Sequence, residues 1–256
     1  MIIMKSQKTN NINLLDRSPI GVFDSWRWWY YTMEMMRKLL PDYDYLFYGD
    51  IAHMPYGDKI PEQIREYTFA GLERLFSQWS PLVIIACNTA AAYSIRVRQA
   101  TYPELKTLSV TIPGIESLIA NHVRSTLFLS TTATSESGIL PDLAYKYQYM
   151  GSIELKACPW LADLIEEDIL NPISKDKKKE IIRQYVGTSQ AESIILACTH
   201  YGVWYDTFVE LFPDKIIIDP SQECAIKLVD YLSQHPDIEN KITRWAIVTE
   251  YWTEKI

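Results

Sequence analysis

Short apolar runs recur along the chain, and the stretches between them place apolar residues every three or four positions. The runs are PIGVF around Ile20, YDYLFYGD around Leu46, LVIIAC around Ile84, KTLSVTIPG around Val110, TLFLST around Phe128, SIELKAC around Leu155, SIILAC around Ile195, KIIIDP around Ile217 and RWAIVTE around Ile247. Each reads as a strand. Between them, Pro61 to Gln78 predicts a helix, with Pro61 in its first turn and Ile64, Tyr67, Ala70 and Leu75 on one face. Because the runs are apolar throughout rather than at alternate positions, they predict parallel sheets covered by helices on both faces, an α/β fold.

In such sheets the ligand crevice lies beyond the carboxyl ends of the strands. The residues just past each run are therefore the candidates for its wall. Asp24 and Ser25 come after the first, GDIAHMPYG after the second, Cys87, Asn88 and Thr89 after the third, STTATSESG after the fifth, and Cys198, Thr199 and His200 after the seventh. These groups suit a site for a small polar, charged molecule. Two of the phrases, VIIACNTA (Val83 to Ala90) and IILACTHY (Ile194 to Tyr201), are near repeats that each deliver a cysteine. A thiol between a strand and a helix sits near unsatisfied N–H groups, which favour the thiolate. One such residue suggests a nucleophile; two suggest a redox couple or two bases. His200, beside the second thiol, is expected to orient or to move a proton. Cys158 and Cys224 read as small buried hydrophobes.

Composition narrows the classes. The 256 residues suffice for one large domain or two smaller ones. With 25 basic against 32 acidic residues the net charge is -7, the wrong sign for binding nucleic acid through its phosphates. The basic stretch KDKKKEIIR, from Lys175 to Arg183, reads instead as a helix start with a solvated face. No signal peptide or membrane-length apolar run is present, so a cytoplasmic protein with four free thiols is expected. No cysteine pair has metal spacing, and no metal is expected. Pro113-Gly114 and Asp219-Pro220 bracket a middle unit, predicting domains of residues 1–112 with 221–256 and of residues 113–220.

The motifs GVFDS, YGDIAHMPYGDK, ACNTAAA, STTATSESG, ACPWLADLIEED, ACTHY and IDPSQ occur in an order and spacing that resembles the glutamate racemases, over nearly all of the chain after residue 18. The resemblance implies two pseudo-symmetric domains, each a mainly parallel sheet flanked by helices, with the active site in the cleft between them. It implies cofactor-independent inversion of glutamate, two cysteines acting on opposite faces of the α-carbon. Carried over by motif, Cys87 resembles the base for D-glutamate and Cys198 the base for L-glutamate. Asp24 matches the acid assisting the first thiol. His200 with Glu166 matches the pair assisting the second, Glu167 being the neighbouring alternative. Ser25, Tyr56, Gly57, Asn88, Thr89, Thr131, Thr134 and Thr199 match substrate-holding positions, with helix capping as the other reading of Thr131 and Thr134. A homodimer and a supply of D-glutamate for peptidoglycan precursors are expected. No nucleic-acid or membrane partner is.

The residues independently suit such chemistry. An α-proton is a very weak acid, so without an electron-sink cofactor the carbanion needs fixed dipoles in a dry site. A pyridoxal enzyme would need a lysine, and the crevice motifs offer only Lys59, just past PYGD. The pattern breaks after Ser25, where the family has a glycine-rich turn and this chain has WRWWYY, Trp26 to Tyr31. Three readings compete: the aromatics pack between helices or across a dimer, they narrow the pocket and alter substrate choice, or they block it and leave a binding protein. Base stacking by these tryptophans around Arg27 fits the acidic balance poorly. A racemase for aspartate or another amino acid is the enzymatic rival, against which CTHY argues, since the aspartate branch has an acidic residue where His200 stands.

Overall fold

The computed structural model describes residues 2–7, 18–26 and 30–253, and for residues 2–7 and Tyr30 the backbone alone. In chain order the strands are β1 (Ile2–Gln7), β2 (Ile20–Asp24), β3 (Tyr45–Gly49), β4 (Leu82–Ile85), β5 (Lys106–Ser109), β6 (Ser125–Ser130), β7 (Ser152–Ala157), β8 (Ser193–Ala197), β9 (Ile216–Ile218) and β10 (Val248–Thr253). The helices are α1 (Tyr30–Leu39), α2 (Pro61–Phe76), α3 (Asn88–Thr101), α4 (Thr111–Ala120), α5 (Thr132–Glu136), α6 (Ile139–Lys146), α7 (Leu161–Leu170), α8 (Lys175–Val186), α9 (Tyr205–Leu211), α10 (Pro220–Gln234) and α11 (Pro236–Glu239).

The strands form two sheets, β1-β10-β3-β2-β4-β5 and β7-β6-β8-β9. All pairings are parallel except that of β1 with β10. Within the first sheet the segment β3-β2-β4-β5 has the strand order second, first, third, fourth. The second sheet repeats that order, so the chain builds the same winding twice. Cys87 and Cys198 lie just past corresponding strands, β4 and β8.

Burial explains the continuous apolar runs. On β2, Ile20 and Val22 pack with α1 and α10, while Phe23 packs on the opposite face with α2 and α3. In the second sheet Leu127 and Leu129 face α7 and α8, and Phe128 faces α4 and α6. A strand covered on both sides has no solvent face to mark with polar residues.

Three details differ from the expectations. β1 lies in a stretch where no strand is predicted. The run around Val110 is divided: β5 ends at Ser109, and α4 begins at Thr111. Pro113 thus falls in the first helical turn, where its missing N–H is no loss, instead of beyond a strand. The expected helix from Pro61 ends at Phe76. The chain passes to the second sheet through α4 and returns through α10, and a Cβ at Gly114 would lie 3.4 Å from Pro220 Cγ, so the two crossings touch. KDKKKEIIR begins α8 as expected, capped by Ser174, whose Oγ accepts from Lys177 N at 3.3 Å.

Helix α2 packs directly on β2 at Gly71, where a Cβ would lie 2.3 Å from Phe23 Cε2. Phe23 is fully buried and cannot retreat. Gly71→Ala is therefore expected to destabilise the fold by about 1–3 kcal/mol through overpacking, read as a lowered denaturation midpoint with unchanged m-value.

Candidate active site

Both cysteine phrases end on one cavity of about 250 Å³, whose wall takes Asp24, Ser25 and Trp26 from the end of β2 and Cys87, Asn88 and Thr89 from the end of β4. Thr131 comes after β6, Cys158 after β7, and Cys198, Thr199 and His200 after β8. Tyr56 and Gly57 close another side from the loop after β3. The cavity lies at the carboxyl ends of both sheets, as parallel sheets dictate. It is smaller than the ~300–1,000 Å³ of clefts for drug-sized ligands, the scale of one small metabolite.

Cys87 is the N-cap of α3, its Sγ accepting from Ala90 N at 3.3 Å and lying 3.1 Å from Ser25 Oγ. The helix contact is the expected one, yet the expected thiolate preference is not met. Burial pushes the Cys87 thiol up to about 12, and the neighbouring Asp24 adds to the rise. A desolvated anion beside a carboxylate outweighs one weak N–H donor. Asp24 is itself buried, with Oδ1 accepting from Ser25 N at 2.7 Å. Burial raises its carboxyl to about 6, a rise held back by the charge of His200.

The Cys198 side is wired differently. His200 Nδ1 lies 3.6 Å from Cys198 Sγ, and its Nε2 lies 3.3 Å from Glu166 Oε1. Burial alone lowers the His200 pKa, but the bonds to Cys198 and Glu166 and the charges of Cys198 and Asp24 reverse this and raise it to about 10. The imidazole is then a cation at neutral pH. Glu166 is reached because α7 is anchored two residues later: Asp168 accepts from Ile173 N at 2.8 Å and from Trp204 Nε1 at 2.8 Å, and pairs with Lys178 at 2.6 Å. Glu167, one residue round the helix, is exposed.

The hydroxyl positions divide. Thr89 Oγ1 lies 2.9 Å from Thr131 Oγ1 and 3.0 Å from Thr134 Oγ1, and the last two are 3.0 Å apart. Thr131 both lines the cavity and caps α5, accepting from Thr134 N at 3.3 Å. Thr134 is absent from the wall and 1% exposed, and its hydroxyl stands behind those of Thr89 and Thr131. Tyr56 is held by its hydroxyl donating to Asp50 Oδ2 at 2.7 Å, and Asp50 also meets His53 Nδ1 at 2.8 Å. The Asn88 amide is buried with neither polar atom partnered among the described residues.

Several wall residues escape the sequence reading. Cys158 is a buried thiol as expected, with burial holding it near 12, but it also lines the cavity. Pro159, Ala162, Asp163 and the exposed Trp160, which follow it in the chain, are also in the wall, as are Pro55, Asp58 and Thr132. Their only signal was position after a strand or within a motif. Among the described residues no lysine or arginine, Lys59 included, is in the wall. Among the described residues no three His, Cys, Asp or Glu side chains are grouped to hold a metal ion, and no helix is long and apolar enough to cross a membrane. Of the aromatic segment, Trp26 is buried in the wall and the cavity stays open beside it; Arg27, Trp28 and Trp29 lie outside the described residues. The reading in which the segment blocks the pocket finds no support in Trp26.

No protein-family model matches the chain. The glutamate racemase of Ectopseudomonas mendocina is 31% identical over 246 residues, covering 93% of this chain and 89% of that protein. The crystal structure of glutamate racemase from Thermus thermophilus in complex with β-chloro-D-alanine is similar with a TM-score of 0.76 at 26% identity, covering 93% of this chain and 87% of that one. A glutamate racemase isoform from Bacillus anthracis gives a TM-score of 0.79 at 25% identity, covering 87% and 84%.

The histidine wiring has a measurable consequence. With its folded pKa above the ordinary 6.5, His200 contributes stability that is complete below pH 6.5 and lost as pH rises through about 10. NMR of the imidazole is expected to place its midpoint near 10 and to move it down in Glu166→Gln, while Glu167→Gln leaves it unchanged.

Proposed function

The chain belongs to the glutamate racemase family and is an amino-acid racemase, and from that premise we propose that it inverts glutamate without a cofactor by passing protons through Cys87 and Cys198. The observation that carries this reading is the convergence of two thiols, from corresponding strands of a repeated sheet, on one cavity. Inversion needs a base on one face of the α-carbon and an acid on the other. A repeated fold supplies one group from each half, and the two crossings through α4 and α10 favour dividing the chain at about residues 112 and 220.

In the direction from L-glutamate, the Cys198 thiolate takes the α-proton, and the electron pair of the C–H bond stays on carbon. The Cys87 thiol then delivers its own proton to the opposite face. The product leaves with Cys198 protonated and Cys87 as thiolate, and exchange with solvent resets the pair. The protein's charges suit this order. His200, a cation paired with Glu166, lies 3.6 Å from the sulfur of Cys198. Cys87, near 12, starts as the acid. In the D to L direction the substrate ammonium entering the cavity opposes burial and eases ionisation of Cys87, and Asp24 is the nearest carboxylate to accept its proton.

Ser25, Tyr56, Gly57, Asn88, Thr89, Thr131 and Thr199 would hold the substrate's carboxylates and ammonium. Hydroxyls, amides and the N-terminus of α3 also supply the fixed dipoles that a developing carbanion requires. A cytoplasmic homodimer supplying D-glutamate for peptidoglycan precursors is the cellular role that accords with the family.

Incubation with L-glutamate in deuterated water is expected to place solvent deuterium at the α-carbon and to give the racemate. Cys87→Ser and Cys198→Ser should each lower racemisation by at least about 100-fold, the scale of losing one general acid or base. Absence of exchange by the intact protein with glutamate would sink the proposal. Exchange with aspartate alone would reassign the substrate.

A further inference from the structure

Asp24, Ser25 and Trp26 are consecutive at the end of β2, but they do not serve the same thiol. Ser25 Oγ lies 3.1 Å from Cys87 Sγ, and Asp24 adds its charge to that side. Trp26 faces the other way: its ring centroid is 5.1 Å from that of His200 with the planes at 89°. That spacing and angle are those of an attractive edge-to-face pair. A strand end of the first half thus reaches the second-half thiol through one intervening ring.

The same segment grips the loop after Cys198 at a second point. A Cβ at Gly202 would lie 2.3 Å from Tyr31 Cε1, so the Tyr31 ring packs directly on backbone there. Tyr31 is fixed in turn by its hydroxyl, which accepts from Gln222 Nε2 at 3.2 Å. Loop Cys198 to Gly202 is therefore braced by Trp26 at His200 and by Tyr31 at Gly202. His200 depends on such bracing because both its ring nitrogens are committed, Nδ1 to Cys198 and Nε2 to Glu166. A turn of the ring breaks both contacts together, and Trp26, 8% exposed, is itself held in place by burial.

We propose that Trp26 is a positioning residue for proton transfer at Cys198, its indole holding the His200 ring in the one orientation that joins Cys198 to Glu166. The inference rests on the assignment of Cys198 as the proton-transferring group on the L face. It gives the aromatic segment a role in the reaction in place of obstruction.

The two enantiomers have equal free energy, so any loss in kcat/KM must be the same in both directions, and the informative readout is isotopic. Trp26→Leu is expected to lower kcat/KM about 10- to 100-fold, the cost of a misplaced catalytic group. The primary deuterium isotope effect on kcat/KM should rise with α-deuterated L-glutamate, whose deuteron leaves through Cys198, and fall with α-deuterated D-glutamate, whose deuteron leaves through Cys87. Trp26→Phe, which keeps a ring against His200, should recover activity to within about threefold of the parent. If Trp26→Leu does not accumulate as folded protein, Trp26→Met takes its place in the same measurements. Isotope effects that do not shift in opposite directions for the two enantiomers, or a Phe variant no better than the aliphatic one, would overturn the role of Trp26 while leaving the racemase assignment intact. An inactive parent protein would instead remove the assignment beneath it.

Discussion

Two thiols from separate sheets open on one cavity, and that meeting is the constraint the rest of the molecule satisfies. Parallel strands gather their carboxyl ends on one edge, so a residue just past a strand is delivered to the crevice without help from side-chain packing. Repeating the winding β3-β2-β4-β5 as β7-β6-β8-β9 puts Cys87 and Cys198 at corresponding places. The contact between Gly114 and Pro220 fixes how the chain passes from one winding to the other and back.

Corresponding positions do not bring equal chemistry. Cys87 is surrounded by apolar packing, a serine and a carboxylate, so its burial is not compensated and its thiol stays protonated. Cys198 has a cationic imidazole at 3.6 Å, and that cation persists in a buried place because Glu166 and the sulfur both favour it. The asymmetry comes from the neighbours, since the strands that present the two sulfurs are alike. In the proposed reaction it decides which group begins as base and which as acid.

Supporting residues hold this arrangement from outside the cavity. Asp168 ties α7 to α8 and to Trp204, and the helical phase it sets turns Glu166 inward and leaves Glu167 in solvent. Asp50 orients Tyr56, and Thr134 backs the hydroxyls of Thr89 and Thr131. Each of these polar groups is buried and hydrogen-bonded, which is what lets it fix a neighbour.

The sequence by itself determined the α/β class, the strand positions and the placing of Cys87 and Cys198 at strand ends, because continuous apolar runs and their punctuation are local properties of the chain. Asp24, Ser25 and Thr131 were legible for the same reason. β1 was not, since its pairing with β10 joins residues at opposite ends of the chain. Tertiary structure alone decided the raised pKa of Cys87, the contact of His200 with Glu166 and not Glu167, the burial of Thr134 behind Thr89 and Thr131, the place of Cys158 in the wall and the contact of Trp26 with His200. All five depend on what residues distant in the sequence place within a few ångströms, and neither desolvation nor a ring contact across 174 residues of chain leaves a mark in local periodicity.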